Sequence, residues 1–323
     1  MSPSGRPKGE YRSAQHEVAP LTSPRDRSRG FALGVLGVAI FALTLPMTRL
    51  AVGDASSPQL PPLFVTVGRA ALAGLLSIAY LRWLGAAWPA LRFWRPLAVC
   101  ALGTVLGFPL CLALALRDVD AMHAAVITGV LPLGTAVAAA LWLRQRASFG
   151  FWLCAVIGCA LVLAFAAYRG HDGLSAADGL LLLALACASV GYVAGAQVSA
   201  ELPAEAVICW VLVISLPFTL PAMLVTWPAE TSAVRASAWG GLAYVTLFSM
   251  WLGFFAWYRG LVLGGVMRVS QVQLLQPFLA LLAAVPLLGE RLEWNTVLFA
   301  LAVAGVVFAG KRMPVRMTSG AVK

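Results

Sequence analysis

The chain has 323 residues, of which 61% are hydrophobic and only 11% charged, with a net charge of +10 and a mean hydropathy of +0.87. A soluble domain carries roughly 25% charged residues, so a water-soluble fold is excluded and the apolar runs from Phe31 to Gly310 belong in lipid. The cations lie in the two tails and in short loops, which is how they orient a membrane protein, and this distribution argues against a nucleic-acid surface.

Residues 1–29 are polar and basic, with Arg6, Lys8, Arg12, Arg25, Arg27 and Arg29 among scattered Ser and Pro. Such a stretch has too little apolar area to offset its ordering entropy and reads as a disordered cytoplasmic tail. A bilayer core takes about 20 apolar residues per helix. On that ruler the chain holds spans at roughly 31–51, 62–82, 96–116, 121–143, 149–168, 178–198, 206–226, 238–259, 266–288 and 295–312. The fold class is therefore all-α and integral to the membrane, with about ten helices. A second cytoplasmic tail is expected at 313–323.

The fourth and ninth spans carry the same signature. Leu116, Met122, Pro132, Leu143 and Arg146 recur as Leu261, Met267, Pro277, Leu288 and Arg291, each shifted by the same amount (277 − 132 = 145). A constant shift of nearly half the chain means two copies of one structural unit, read as 30–170 and 171–312. Five spans per copy is an odd number, so the second copy starts on the opposite side of the membrane and the repeat is inverted, as in many secondary transporters. With both tails inside, the inner face collects most of the Arg and Lys, whereas the outer face keeps Arg49, Arg117, Arg169, Arg235 and Arg291. That asymmetry supports the inside–inside topology.

The acidic residues all fall in tails or at helix ends, and none sits near a span centre. Ion-driven pumps keep an intramembrane carboxylate as a relay, so passive or exchange transport fits better than strong proton or sodium coupling. His123, beside Asp118 and Asp120, is expected to be a solvated helix end, and His171-Asp172 a loop pair. The six cysteines lie within spans without a Cys-x-x-Cys pair and act as small apolar residues. No phosphate loop or zinc helix is written in the chain, so no metal or cofactor is expected.

Within the spans, polar groups fall at helical spacing: Thr44 and Thr48; Thr128, Pro132 and Thr135; Ser189 and Tyr192; Thr246, Ser249 and Trp257; Ser270, Gln273 and Gln276. An unpaired amide or hydroxyl in hydrocarbon costs several kcal/mol, so these faces look inward, onto another helix or a watery cavity. The amides Gln273 and Gln276 are hard to satisfy inside a packed seam, which points to a cavity. Arg69 is the intramembrane charge; it is read as snorkelling or capping carbonyls, with attraction of an anionic substrate group as the alternative. Pro132 and Pro277 are either matched bends or merely tolerated prolines. Gly103/Gly107 and Gly191/Gly195 are small-residue pairs that report close packing.

The stretch from Trp257-Tyr258-Arg259 through Pro277 to Leu288-Gly289-Glu290-Arg291, with Gly305-Val306-Val307, resembles the second half of an EamA-type transporter of the drug/metabolite transporter superfamily; Arg69, Ala115-Leu116 and Pro132 match the first half. The first copy departs from the pattern, with Leu-Arg-Gln-Arg at 143–146 where the second keeps Gly-Glu-Arg, and the first helix lacks the family's Trp-Gly opening. The resemblance implies an inverted five-plus-five arrangement around a central cavity, and export or exchange of small metabolites such as amino acids across the cytoplasmic membrane. The expected substrate contacts are Thr48, Tyr192, Trp257, Tyr258, Gln273 and Gln276, with Pro132, Pro277, Arg69 and Glu290 in hinge or structural roles. The partners are then a small metabolite and the lipid bilayer, without nucleic acid; pairing of two copies is left open. A lipid-modifying enzyme would need clustered carboxylates or histidines at the membrane surface, and a scaffold or sensor without flux is the other competing class.

Overall fold

The computed structural model describes residues 24–142, 146–169, 175–199, 201–264, 270–313 and 315–316. Eight of its helices are long and apolar enough to cross a bilayer, and two shorter apolar helices, Val272–Leu288 and Trp294–Gly310, complete the expected set of about ten. The first span starts at Pro24, inside the stretch expected to be tail, and runs as Pro24–Ala42 and Thr44–Val52. Proline is suited to the first helical turn and Asp26 complements the helix dipole there. Residues 1–23, the His171-Asp172 pair, Leu143 and Met267 lie outside the described residues.

Spans two, five, six, seven and ten are single helices: Pro62–Leu84, Phe149–Arg169, Ala176–Ser199, Ala204–Val225 and Trp294–Arg312. The other spans are interrupted; the interruptions of spans three, four, eight and nine follow the repeat, whereas that of span one at Leu43 has no counterpart in span six. Span four is Ala121–Thr128 followed by Leu131–Trp142; span nine is a 3-10 turn, Ser270–Leu275, followed by Gln276–Leu288. The second segments begin at equivalent places (276 − 131 = 145), each one residue before its proline. Pro132 and Pro277 thus open new helices rather than kink continuous ones. In a first turn the missing N–H has no intrahelical partner to lose.

Span three contains a π-helical segment, Ala101–Gly107, between Trp94–Cys100 and Phe108–Ala115. Span eight contains another, Val245–Leu252, between Ala236–Tyr244 and Gly253–Gly264. The shift of the repeat carries 101–107 onto 246–252, so the wide turns are equivalent as well. π-turns are rare and concentrate at functional sites.

The packing obeys the same exchange. Span one lies against span eight, and its counterpart pair, six against three, packs likewise; two against seven, five against ten and four against nine pair across the repeat boundary. The close approach of six to three depends on glycine. A Cβ on Gly103 would lie 2.4 Å from the Cys187 carbonyl oxygen and 2.9 Å from the Gly191 Cα.

Both described ends of the chain lie on one face. The start of span one meets the end of span eight, where a Cβ on Gly260 would stand 2.8 Å from the Gly34 nitrogen, and Arg146–Ala147 pairs antiparallel with Val315–Arg316. Arg92–Glu201 (2.5 Å) is an exposed ion pair on this face, and Arg259–Glu205 (3.8 Å) a half-exposed one. The opposite face is closed by longer connections, with Gly53 at φ 71° in the turn that pairs with Pro58.

Candidate functional site

The interrupted helices surround a cavity of about 50 Å³. Its polar wall comes from Thr44 on span one, Arg69 on span two, Thr104 and Ser249 on the two π-segments, and Thr128 and Gln276 at the two breaks. Thr104 and Ser249 are repeat mates (249 − 104 = 145), so each π-turn delivers one hydroxyl to the same space. Phenylalanines 41, 108 and 254 form much of the apolar wall, and Tyr192 closes one side from span six. A small lobe of about 20 Å³ continues past Leu45, Thr128, Leu131 and Gln276 to Gln273, Pro132 and Pro277. Ligand pockets usually measure roughly 300–1,000 Å³, so this state is contracted around the site.

Arg69 corrects an expectation. It does not snorkel: the residue is 3% exposed, and its Nη2 donates to the Ser249 Oγ at 3.2 Å rather than to a carbonyl. Ser249 in turn stands 2.8 Å from the Thr44 hydroxyl, so the three form one chain of hydrogen bonds at the cavity wall. The remaining guanidinium nitrogens, Nε and Nη1, are buried without a partner among the described residues. A charge left uncompensated in that position costs of order several kcal/mol. The counterpart, span seven, has no charged residue after Glu205 in its first turn.

The other expected contacts divide into two groups. Tyr192 and Gln276 line the main cavity, and Gln273 lines the lobe. Thr48 is buried one turn beyond Thr44, its hydroxyl unpartnered among the described residues. Trp257 packs instead in the seam between spans one and eight with Val38 and Val272, and a Cβ on Gly37 would sit 3.1 Å from it. Tyr258 stacks obliquely on Phe254, ring centroids 5.6 Å apart, behind the cavity wall. Thr104 and the phenylalanines escaped the sequence reading. Shifting Ser249 back by one repeat would have pointed to Thr104, whereas a phenylalanine facing a cavity is spelled like one facing lipid.

Toward the face opposite the chain ends, span four's first half packs directly on span nine's second half. Glu290 ties them: its carboxylate accepts from the backbone amides of Ala121 (2.8 Å) and Met122 (2.9 Å) at the start of span four. Burial pushes this carboxyl above its usual range, against the pull of those two amides. Arg49 on span one donates to the Leu116 and Val119 carbonyls, closing span one onto the turn before span four. Outside this closure lies a mixed-charge vestibule of about 610 Å³ that includes Asp54, Arg235 and Glu290. Asp54, held by the Ser56 hydroxyl and the Ser57 amide, has its carboxyl below the usual range.

His123 also departs from expectation. It is buried rather than solvated, with Nε2 2.6 Å from Asp178 Oδ1 and its ring 5.1 Å from that of Phe165. Asp178 is simultaneously half of a capping box: its carboxylate accepts from the Ser175 amide and its own amide donates to the Ser175 hydroxyl. The pair locks the starts of spans four and six together on the vestibule side.

Comparison with known proteins agrees with this architecture. Residues 28–166 and 175–310 each match the model of the EamA-like transporter family. The chain is 43% identical over 285 residues, 88% of its length and 98% of the relative's, to a Bacillus subtilis (strain 168) protein named "Uncharacterized transporter YdeK". A solved crystal structure superposes with a TM-score of 0.58 at 18% identity, covering 88% of this chain and 99% of that one, which is a likeness of fold. Two matched repeats over an inverted helical bundle place the chain in the EamA-like transporter family, as a multi-pass membrane transporter and not an enzyme.

Proposed function

We propose that the protein is a secondary carrier that exports or exchanges small metabolites, such as amino acids, across the cytoplasmic membrane by alternating access, with both termini in the cytoplasm. The observation that carries this reading is the pair of repeat-equivalent breaks at Leu131 and Gln276, which flank the polar cavity. Segments separated at a break can tilt about it while their neighbours stay packed, as hinged closure requires. On the vestibule side the halves of spans four and nine are packed and tied by Glu290; on the other side Leu131–Trp142 leaves span nine and packs on span six. A carrier closed toward the vestibule and loosened toward the chain ends has this arrangement. Movement of the paired segments in the opposite sense would open the vestibule to Thr44, Gln276 and Tyr192.

The test is flux. Purified protein reconstituted into vesicles is expected to exchange labelled amino acids from a broad panel faster than protein-free vesicles. Absence of flux across this panel would remove amino acids as the cargo; absence of flux for organic anions and amines as well would remove the carrier reading in favour of a non-transporting scaffold or sensor.

A further inference from the structure

We propose that Arg69 receives an anionic group of the substrate, and that the preferred substrate is a small organic anion with an apolar body rather than a cation or a zwitterion. This rests on the carrier reading above and names its substrate class. The first support is the guanidinium itself. It is 3% exposed, forms part of the cavity wall, and holds two nitrogens without partners among the described residues. Nη2 carries two N–H bonds and needs only one for Ser249, so one edge of the planar guanidinium, Nη2 with Nη1 or with Nε, can meet a carboxylate in a bidentate way, and such charge-assisted bonds are the strong ones.

The second support is the charge balance. Among the residues lining the cavity and its lobe there is no Asp or Glu. An incoming carboxylate would neutralise Arg69, whereas a cation would add a second positive charge to a site without a counter-charge. The ammonium of a zwitterion would find no carboxylate there, only uncharged hydroxyls, the Gln276 amide and aromatic faces, none of which neutralises it. The third support is the apolar wall of Phe41, Phe108, Phe254, Leu112 and Met250, which suits a hydrocarbon or phenyl body beyond the carboxylate. Ser249, bonded to both Thr44 and Nη2, sets the direction of the fork and is a positioning residue.

The experiment uses two series that hold the body constant and vary the charge: 3-phenylpropionate, phenylalanine and phenethylamine; then 4-methylpentanoate, leucine and isoamylamine. Flux and ligand-induced thermal shift are measured on the full chain in vesicles and in detergent. The expected order in the wild type is anion, then zwitterion, then cation, with at least about a ten-fold gap between the ends, equivalent to about 1.4 kcal/mol. Arg69→Gln is expected to abolish the order, Arg69→Lys to keep it in weakened form, and Ser249→Ala to raise KM for the anions with little change in maximal rate. The wild-type order decides the matter even if R69Q fails to fold. Preference for the amines or the amino acids over the anions, or an R69Q variant that folds and binds the anions as before, would overturn the proposal while leaving the carrier standing. Silence for all six compounds together with the amino-acid panel would instead sink the carrier reading, and this proposal with it.

Discussion

Glu290, at the end of span nine, accepts the backbone amide of Met122 at 2.9 Å across 168 positions of sequence and so joins the two repeats at the start of span four. Its second oxygen takes the Ala121 amide, so one side chain serves two donors that no helical carbonyl can reach. Glu290→Ala is expected to lower stability by about 1–2 kcal/mol, read as a fall in the melting temperature in detergent. Glu290→Gln keeps one acceptor oxygen but turns an amide NH2 toward the second backbone N–H, so it should lose at least half as much. It also restores the likeness to Gln145, which occupies the equivalent place in the first repeat.

The same contact predicts a pH dependence. Burial raises the Glu290 carboxyl above its ordinary range, so the folded protein binds its proton more readily than the unfolded chain does. The stability linked to this group is therefore fully present below the ordinary glutamate range and declines as pH rises through the raised value. Melting curves of wild type and E290Q measured across that window should show wild type losing ground to the variant as pH increases. A difference independent of pH would rule the linkage out.

Gly129 and Pro277 mark the crossing of spans four and nine: a Cβ placed on Gly129 would lie 3.5 Å from that of Pro277 and 3.1 Å from the Val126 carbonyl oxygen. A larger side chain wedges the two breaks against each other. Gly129→Leu is expected to slow vesicle flux by about ten-fold, about 1.4 kcal/mol on the barrier, while the purified protein remains monodisperse. Undiminished flux would show that this crossing does not move during the cycle.

The seam between spans three and six has no spare room. A Cβ on Gly191 would sit 2.8 Å from the Thr104 Cγ2 and 3.0 Å from its nitrogen. Gly191→Val should destabilise by about 1–3 kcal/mol through overpacking, whereas a change at Gly240, around which nothing lies within 4 Å, should leave the melting temperature unmoved.

Loss of the His123 ring removes a buried 2.6 Å partner from Asp178. His123→Ala is expected to cost about 1.5–3 kcal/mol, the range for a hydrogen bond to a charged group. Asp178→Asn, which preserves shape and one acceptor, should cost less. Thermal unfolding of the two variants compared with wild type tests both statements.

Much of this was legible in the residues because lipid leaves a chain few choices. Apolar runs of bilayer length had to be helices, and the 145-residue shift between Pro132 and Pro277 revealed the duplication. Gln276 and Tyr192 could be placed at a cavity because polar groups at helical spacing cannot face hydrocarbon. The capping box of Ser175 and Asp178 and its buried bond to His123 were not part of that reading and came with the tertiary structure. Trp257 shares a face with Ser249 on paper, with Tyr258 beside it, yet Trp257 packs with Val38 and Val272 and Tyr258 against Phe254.

By itself, the sequence determined the solvent, the helices and the inverted pairing of two halves, since each follows from apolar length, period and parity along the chain. Tertiary structure alone decided that Arg69 meets Ser249 and Thr44, residues up to 205 positions apart, and that Glu290 caps the other repeat. The physical reason is that helix formation answers to neighbours within a few residues. Whether a buried charge finds a partner, by contrast, depends on which helices the bilayer brings side by side.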